Sequence, residues 1–415
     1  MKQTEVGLIP DDWEVVKLSK VAEIKAPMVN PRNKKYDYLP HIGNENIEKF
    51  SGKLLPYKLV GEENLISGKY YFKSTDVLYG KINPQFSKVT YPKFEGLCSA
   101  DMYPLSANNE IIPEYLKYTL LTKSFYDYTV ATSARSGMPK VNRDEIAGYQ
   151  FALPPLNEQK KIAEALSDID SLICGIEEES EKKKNIKTGA MQELLTGKRR
   201  LPGFAKSDKT KMTEFGEIPE DWVINELGEV SSNYTGLTYS PENICDYGTL
   251  VLRSSNIQNG VLAFDDNVFV DMQIPERAIT KKDDILICVR NGSTALIGKS
   301  ALITEDAAGM AFGAFMTILR TSVLDQKFLF YLWQSPFIQD QIKDLMGATI
   351  NQITNKDIKL FQIYYPSSKE EQSAIATILT DMDSEINELE SKLSKYKKLK
   401  DGMMQQLLTG KIRLN

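Results

Sequence analysis

Three stretches of this chain carry residue types at spacings that could do chemistry. Asn83-Pro84-Gln85-Phe86 approximates the Asn-Pro-Pro-aromatic pattern with which adenine-N6 methyltransferases hold the amine of a flipped base. No glycine-rich methyl-donor loop after a strand accompanies it, so a strand-to-turn exit is the better reading. Ser293-Thr294-Ala295-Leu296-Ile297-Gly298-Lys299-Ser300 ends like a phosphate-binding loop. Serine stands where the first glycine must allow the tight backbone curl, and Gly292 is one position too early. Pro10-Asp11 followed by Glu23-Ile24-Lys25 mimics a nuclease pattern in which two carboxylates hold magnesium beside a lysine. The same stretch recurs later as Glu229-Val230-Ser231, without the lysine, so a structural role is expected for it.

The remaining chemistry is bounded by what the chain lacks. A single histidine, His41, excludes any mechanism that needs two imidazoles. Cys98, Cys174, Cys245 and Cys288 are far apart and form no CxxC pair, which argues against structural zinc and against a disulfide framework. No metal, no cofactor and no catalytic centre are therefore expected. The net charge is −5, and it is unevenly spread: residues 1–152 carry +2, 153–206 carry +1, 207–365 carry −8, and 366–415 are neutral. Phosphate contacts dominate nonspecific nucleic-acid affinity, so a chain of this balance would need a basic partner to grip DNA. No apolar run approaches the roughly 20 residues of a membrane helix. Met1 to Pro10 lacks the basic-then-apolar order of a signal peptide, so a cytoplasmic protein is expected.

The elements that would position any site are written twice. Thr4-Glu5-Val6-Gly7-Leu8-Ile9-Pro10-Asp11-Asp12-Trp13 returns as Thr213-Glu214-Phe215-Gly216-Glu217-Ile218-Pro219-Glu220-Asp221-Trp222, and Leu194-Leu195-Thr196-Gly197-Lys198 returns as Leu407-Leu408-Thr409-Gly410-Lys411. Between these ends the copies share only fragments, such as Asp76-Val77-Leu78 and Asp284-Ile285-Leu286. A duplicated frame around dissimilar contents suggests one scaffold presenting two different recognition surfaces. Asp283–Val289 and Asp76–Tyr79 read as buried strands, and 114–128 and 326–343 carry helical spacing whose apolar stripes belong in a core.

Each copy closes on a long helix with coiled-coil spacing. Ile375, Leu379, Met382, Ile386, Leu389, Leu393, Met403 and Leu407 form one seam, passing through Tyr396 and Lys400. Ile162, Leu166, Ile169, Ile173, Ile176 and Leu194 form the other, interrupted by Ser180, Lys183 and Lys187. Ser368 with Glu371 reads as a capping box, and Gly197 and Gly410 suit the residue just past a helix end. Gly189 and Gly402, inside the pattern, mark either a kink or a close helix contact. Two matching seams in one chain favour antiparallel pairing within it. The expected fold class is α+β: two mixed α/β domains joined by two long helices that pair as an antiparallel coiled coil, with an internal pseudo-two-fold repeat. The expected boundaries are 1–152 and 213–365 for the domains, 153–200 and 366–415 for the helices, and 201–212 for a linker.

Ile9-Pro10-Asp11-Asp12-Trp13, Leu153-Pro154-Pro155-Leu156-Asn157-Glu158-Gln159, Leu194-Leu195-Thr196-Gly197-Lys198, Asp284-Ile285-Leu286-Ile287-Cys288-Val289-Arg290-Asn291-Gly292-Ser293 and Gly298-Lys299-Ser300-Ala301-Leu302 resemble type I restriction–modification DNA specificity subunits. The resemblance covers the whole chain, including the order domain, helix, domain, helix. The second copy departs at Tyr365-Pro366-Ser367-Ser368, which lacks the double proline. The resemblance implies two target-recognition domains, each reading half of a bipartite, asymmetric duplex DNA target, with the helices as spacer. It also implies two methyltransferase subunits and endonuclease/translocase subunits as partners, which perform the chemistry. Arg and Lys can fork onto guanine, and Asn or Gln onto adenine. On those grounds the candidate DNA-contacting residues are Lys81, Asn83, Arg135 and Lys140 in the first domain, and Arg253, Asn256, Arg290, Asn291, Ser293 and Lys299 in the second.

Overall fold

Ile285-Leu286-Ile287-Cys288 has no polar residue to turn toward water, and in the computed structural model it is a strand buried along its whole length, as is Asp76–Gly80. The structure describes residues 1–415 except 26, 134–137, 206, 208, 347–350 and 415. The chain folds as two compact units, Met1–Glu178 with Ser391–Asn415, and Glu179–Glu390. Each long helix, Leu156–Leu194 and Lys369–Leu407, therefore contributes one half to each unit.

In the first unit, β1 (Glu14–Lys17) pairs antiparallel with the strand that precedes the first long helix, Gln150–Leu153. A four-stranded sheet is centred on β2 (Asp76–Gly80), and a five-stranded sheet contains Pro40–Ile42 running parallel to Gly96–Cys98. The larger core gathers Trp13, Tyr79, Tyr115, Phe125, Ile162 and Leu166 with Leu407, the last residue of the second long helix, and Leu408 just past it. The second unit repeats the plan. β3 (Trp222–Glu226) pairs with Gln362–Pro366, β4 (Ile285–Cys288) lies between Met316–Arg320 and Ser300–Leu302, and Thr249–Leu252 runs parallel to Ala311–Phe312. Its core joins Phe328, Leu329 and Trp333 to Leu194 and to Ile375 and Leu379.

The stretches with helical spacing are each broken once. The first is Pro113–Leu120 followed by Lys123–Ser133, and the second is Gln326–Gln334 followed by Pro336–Met346. Ser335 is extended because the ring of the following proline disfavours helical backbone before it.

The long helices pair antiparallel within each unit. In the first, Asp170 bonds Lys400 and Glu177 bonds Lys397; in the second, Lys183 bonds Glu385 and Lys187 bonds Asp383. Ile162, Leu166, Ile169, Ile176, Leu194, Ile375, Leu379, Ile386 and Leu407 are buried, while Ile173, Met382, Leu389, Leu393 and Met403 are half-buried. Polar interruptions of the seams have specific partners: Lys187 meets Asp383 and the Tyr331 ring, and Lys400 meets Asp170. Gly189 and Gly402 are not close contacts, since a Cβ at either would meet nothing within 4 Å. The Ser368 hydroxyl accepts from the Glu371 amide, but the Glu371 carboxylate is turned to Arg200, so only half of the capping box forms.

The phrase that closes each copy meets the phrase that opens the other copy. The Arg413 guanidinium donates to Glu158 at 2.5 and 2.7 Å and to Asp12 at 2.9 and 2.8 Å, and it stands 5.9 Å from the centre of the Trp13 ring. Arg200 does the same with Glu371, Asp221 and Trp222. A second clasp ties each domain to both helices. Tyr118 and Lys117 from the domain and Lys400 from the second long helix converge on Asp170 of the first. In the other unit Tyr331 and Lys187 converge on Asp383. Gln159 and Gln372 complete the frame, each accepting from a domain backbone amide (Ile112 and Asp325) and donating to the carbonyl just before its own helix.

Candidate nucleic-acid interface

Three turns converge in each unit, at the ends of the central strands. In the first unit, β2 runs out into Lys81 and Asn83, where Asn83 takes a left-handed backbone (φ 53°) and Pro84 opens a single helical turn. This is the strand-to-turn exit expected for Asn83-Pro84-Gln85-Phe86. The Asn83 amide donates to the Pro139 carbonyl at 2.8 Å and Val141 to Lys81 at 3.0 Å, which draws in the turn that holds Lys140. On the other side the Lys88 ammonium donates to the carbonyl oxygens of Asn44 and Ile47, stapling the turn 43–47 against β2. Asn46 shapes that turn, accepting from the Gly43 amide at 2.8 Å and donating to Pro56.

The second unit is built alike from different residues. Lys299 donates to the carbonyl oxygens of Ser254 and Ile257, and Asn256 accepts from the Arg253 amide at 2.9 Å while donating to Ala263. The third turn joins through Ile353, whose amide donates to Val289, and through an Arg290–Gln352 bridge.

The candidates thus gather into one cluster per unit, but not in one role. Asn256 is fully buried and Lys299 points its ammonium inward, so both hold the turn rather than face outward. Lys299 also explains why its loop resembles a phosphate site without being built like one: the ammonium is already occupied by two carbonyl oxygens. Arg253 is paired with Asp266 at 2.9 Å, and Asn291 donates to Ser254. Lys140, Arg290 and Ser293 are exposed. Lys81 is half-buried, 4.7 Å over the Tyr103 ring, and burial pulls its ammonium below the ordinary lysine value; Asp101 opposes this, and Arg143 and Lys140 add to it. An ammonium so placed is one that a phosphate or a guanine acceptor would stabilise. Arg135 lies outside the described residues.

Sequence reading missed Asn44, Glu45 and Lys88 in the first unit, and Phe315, Asn351 and Gln352 in the second. A signal existed for the first group: Ile42-Gly43-Asn44-Glu45-Asn46-Ile47 aligns with Leu252-Arg253-Ser254-Ser255-Asn256-Ile257. Among the described residues, Asn44 Oδ1, Arg253 Nε and Ser255 Oγ on these turns are buried without a protein hydrogen-bond partner, as are His41 Nε2, Tyr79 Oη and Trp222 Nε1 elsewhere.

The other polar groups weighed for chemistry have structural surroundings. His41 Nδ1 lies 3.0 Å from Glu63, with burial pulling the imidazole below its usual value. Lys25 is bonded to Asp76 at 2.5 Å. Among the described residues no cluster of His, Cys, Asp and Glu could hold a metal ion, and no helix is long and apolar enough to cross a membrane.

A family model described as the type I restriction modification DNA specificity domain matches residues 10–188 and again 219–396. The chain is 28% identical over 419 residues to the type I restriction enzyme MjaVIII specificity subunit of Methanocaldococcus jannaschii, covering 98% of this chain and 94% of that one. It is 30% identical over 433 residues to the putative MjaX specificity subunit of the same organism, covering 100% and 96%. The type I restriction–modification S subunit from M. genitalium is similar in fold, with a TM-score of 0.62 at 16% identity over 98% of each chain. Both matched spans open on the Ile-Pro-acid-Asp-Trp phrase and run into a long helix, which is the repeat unit described above. The chain belongs to the type I restriction–modification DNA specificity family.

Proposed function

We propose that this chain is the target-reading subunit of a type I restriction–modification complex, and that each unit reads one half of a bipartite, asymmetric DNA target through its three converging turns. The observation that carries this reading is a shared frame with unlike turns. The Arg–Glu–Asp and Tyr–Asp–Lys clasps and the Lys88 and Lys299 staples recur, whereas Asn44-Glu45 is answered by Ser254-Ser255, and Lys140 by Gln352. Equivalent scaffolds with different polar edges would read different base sequences. Residues 1–152 and 213–365 are then the target-recognition domains, with 153–200 and 366–415 as helical spacers and 201–212 as linker. Lys81, Asn83, Lys140, Arg253, Arg290, Asn291 and Ser293 face the DNA, and Asn256 and Lys299 position them.

The net charge of −5 supports partners that supply the phosphate grip. Two methyltransferase subunits, one for each repeat, and endonuclease/translocase subunits would complete the complex and carry its chemistry. The test is an exchange of residues 20–150 for the first domain of another family member, followed by methylation mapping of the complex. One half-site changes and the other is retained; alteration of both would show that the units do not read independently.

A further inference from the structure

The arginines of the second unit differ in what they face. Arg200, Arg253 and Arg320 are bonded to carboxylates. Arg290 is exposed, and among the described residues no hydrogen bond or ion pair involves its guanidinium. It lies instead over the ring of Phe315, 5.0 Å from the ring centre. Phe315 is 56% exposed, in the turn that enters the strand Met316–Arg320, whose first four residues, Met316–Leu319, are all buried. The backbone fixes the pair: the Phe315 carbonyl accepts from the amides of both Val289 and Arg290, at 3.0 and 3.2 Å. An aromatic face under a guanidinium holds the planar fork in one orientation while leaving its N–H edge open. That edge matches the O6 and N7 acceptors of guanine in the major groove.

We propose that Arg290, held on the Phe315 ring, is the guanine-reading residue of the second unit. This rests on the target-reading function proposed above and adds a base identity to it. Phe315 acts through Arg290 and is a positioning residue. Lysine in place of Arg290 would keep the charge but not the fork, which separates base reading from simple attraction to phosphate.

The experiment is methylation mapping by the complex assembled from this chain and its methyltransferase subunits, for the wild type and for Arg290→Ala, Arg290→Lys, Phe315→Trp and Phe315→Ala. In Arg290→Ala one G·C pair in a single half-site becomes degenerate, its preference falling roughly 5- to 100-fold, while the other half-site is unchanged. Arg290→Lys does not restore it. Phe315→Trp keeps the preference, and Phe315→Ala weakens it at the same base pair. An unchanged map in Arg290→Ala, a full rescue by lysine, or an equal loss at every position with a shallower salt dependence would each overturn the proposal. So would a Phe315→Ala map identical to the wild type, because the ring would then not be positioning the fork. Absence of any sequence-specific methylation by the wild-type complex would overturn the target-reading function itself, and the proposal with it.

Discussion

Glu371 is 2% exposed at its side chain, and among the described residues the charge that compensates it comes from Arg200, itself 12% exposed. Removing one partner of a buried ion pair leaves the other charge stranded, so Arg200→Ala should destabilise the second unit by about 3 kcal/mol. Arg413→Ala should cost less. The Arg413 side chain is 32% exposed, and Glu158 keeps the Trp13 indole N–H at 2.9 Å, a donor that Trp222 does not provide to Glu371. Denaturant unfolding of the two variants, with hydrogen exchange to assign the loss to a unit, checks the order. Gly80 makes a different point. A Cβ there would stand 2.3 Å from Asn44 Oδ1, so Gly80→Ala must rotate Asn44 out of the turn 43–47. The side chain can swing away, so little stability is lost. The expected effect is on reading: preference in the first half-site falls by about tenfold, on the scale of one base contact, with the second half-site intact. Methylation mapping reads it directly.

Between elements, the Tyr–Asp–Lys clasp sets how a domain rests on the helix pair. Asp170 sits among Lys117, Lys400 and Tyr118; burial pushes its carboxyl up, but the two ammonium groups outweigh that and hold it below the ordinary value of 3.8. A carboxylate with a lowered folded value stabilises fully above the unfolded value, and that contribution disappears as pH falls through the lowered one. Unfolding midpoints measured between pH 6 and pH 3 should therefore drop toward the acid end in the wild type and more shallowly in Asp170→Asn. At neutral pH the same variant leaves Lys117 and Lys400 facing each other and should be less stable by about 3 kcal/mol. The helix ends are constrained too. Gly197 (φ +72°) and Gly410 (φ +68°) adopt left-handed backbone, and a Cβ would come within 2.6 Å of Pro219 and 2.5 Å of Pro10 respectively. Alanine at either should cost more than about 1 kcal/mol in thermal or denaturant unfolding, backbone strain and overlap adding together.

Both long helices pass from one unit into the other, each as 39 residues of unbroken helix. On the proposed function, adding four residues near Lys183 lengthens the first by about 6 Å and rotates its C-terminal part by about 40° beyond a full turn. Because DNA rises about 3.4 Å per base pair, the enlarged chain should read the same half-sites with a spacer one or two base pairs longer. Mapping of the methylated target would show it, and an unchanged spacer would mean the helices do not set the separation. The chain by itself should turn over no methyl donor, cleave no DNA and hydrolyse no ATP, which radiolabelled methyl-donor and nucleotide assays test.

The repeat, the seams and the buried strands were legible in the residues because each is a local or periodic pattern: 4,3 spacing, an apolar run, or a phrase copied about 210 positions on. Apolar burial is non-directional, so spacing alone announces it. Placing Lys81, Asn83 and Lys140, or Arg290, Asn291 and Ser293, on turns needed only that polar residues lie between the buried elements. Their division of labour was not legible. Whether a lysine faces solvent, as Lys140 does, or staples two carbonyl oxygens, as Lys88 and Lys299 do, depends on acceptors more than 40 positions away. The same holds for Arg413, whose partner Asp12 is 401 residues distant, and for Phe315, whose value lies in the guanidinium above it. A hydrogen bond or a ring contact is directional and lost within about an ångström, so only the folded chain could decide which polar groups were taken and which were left open.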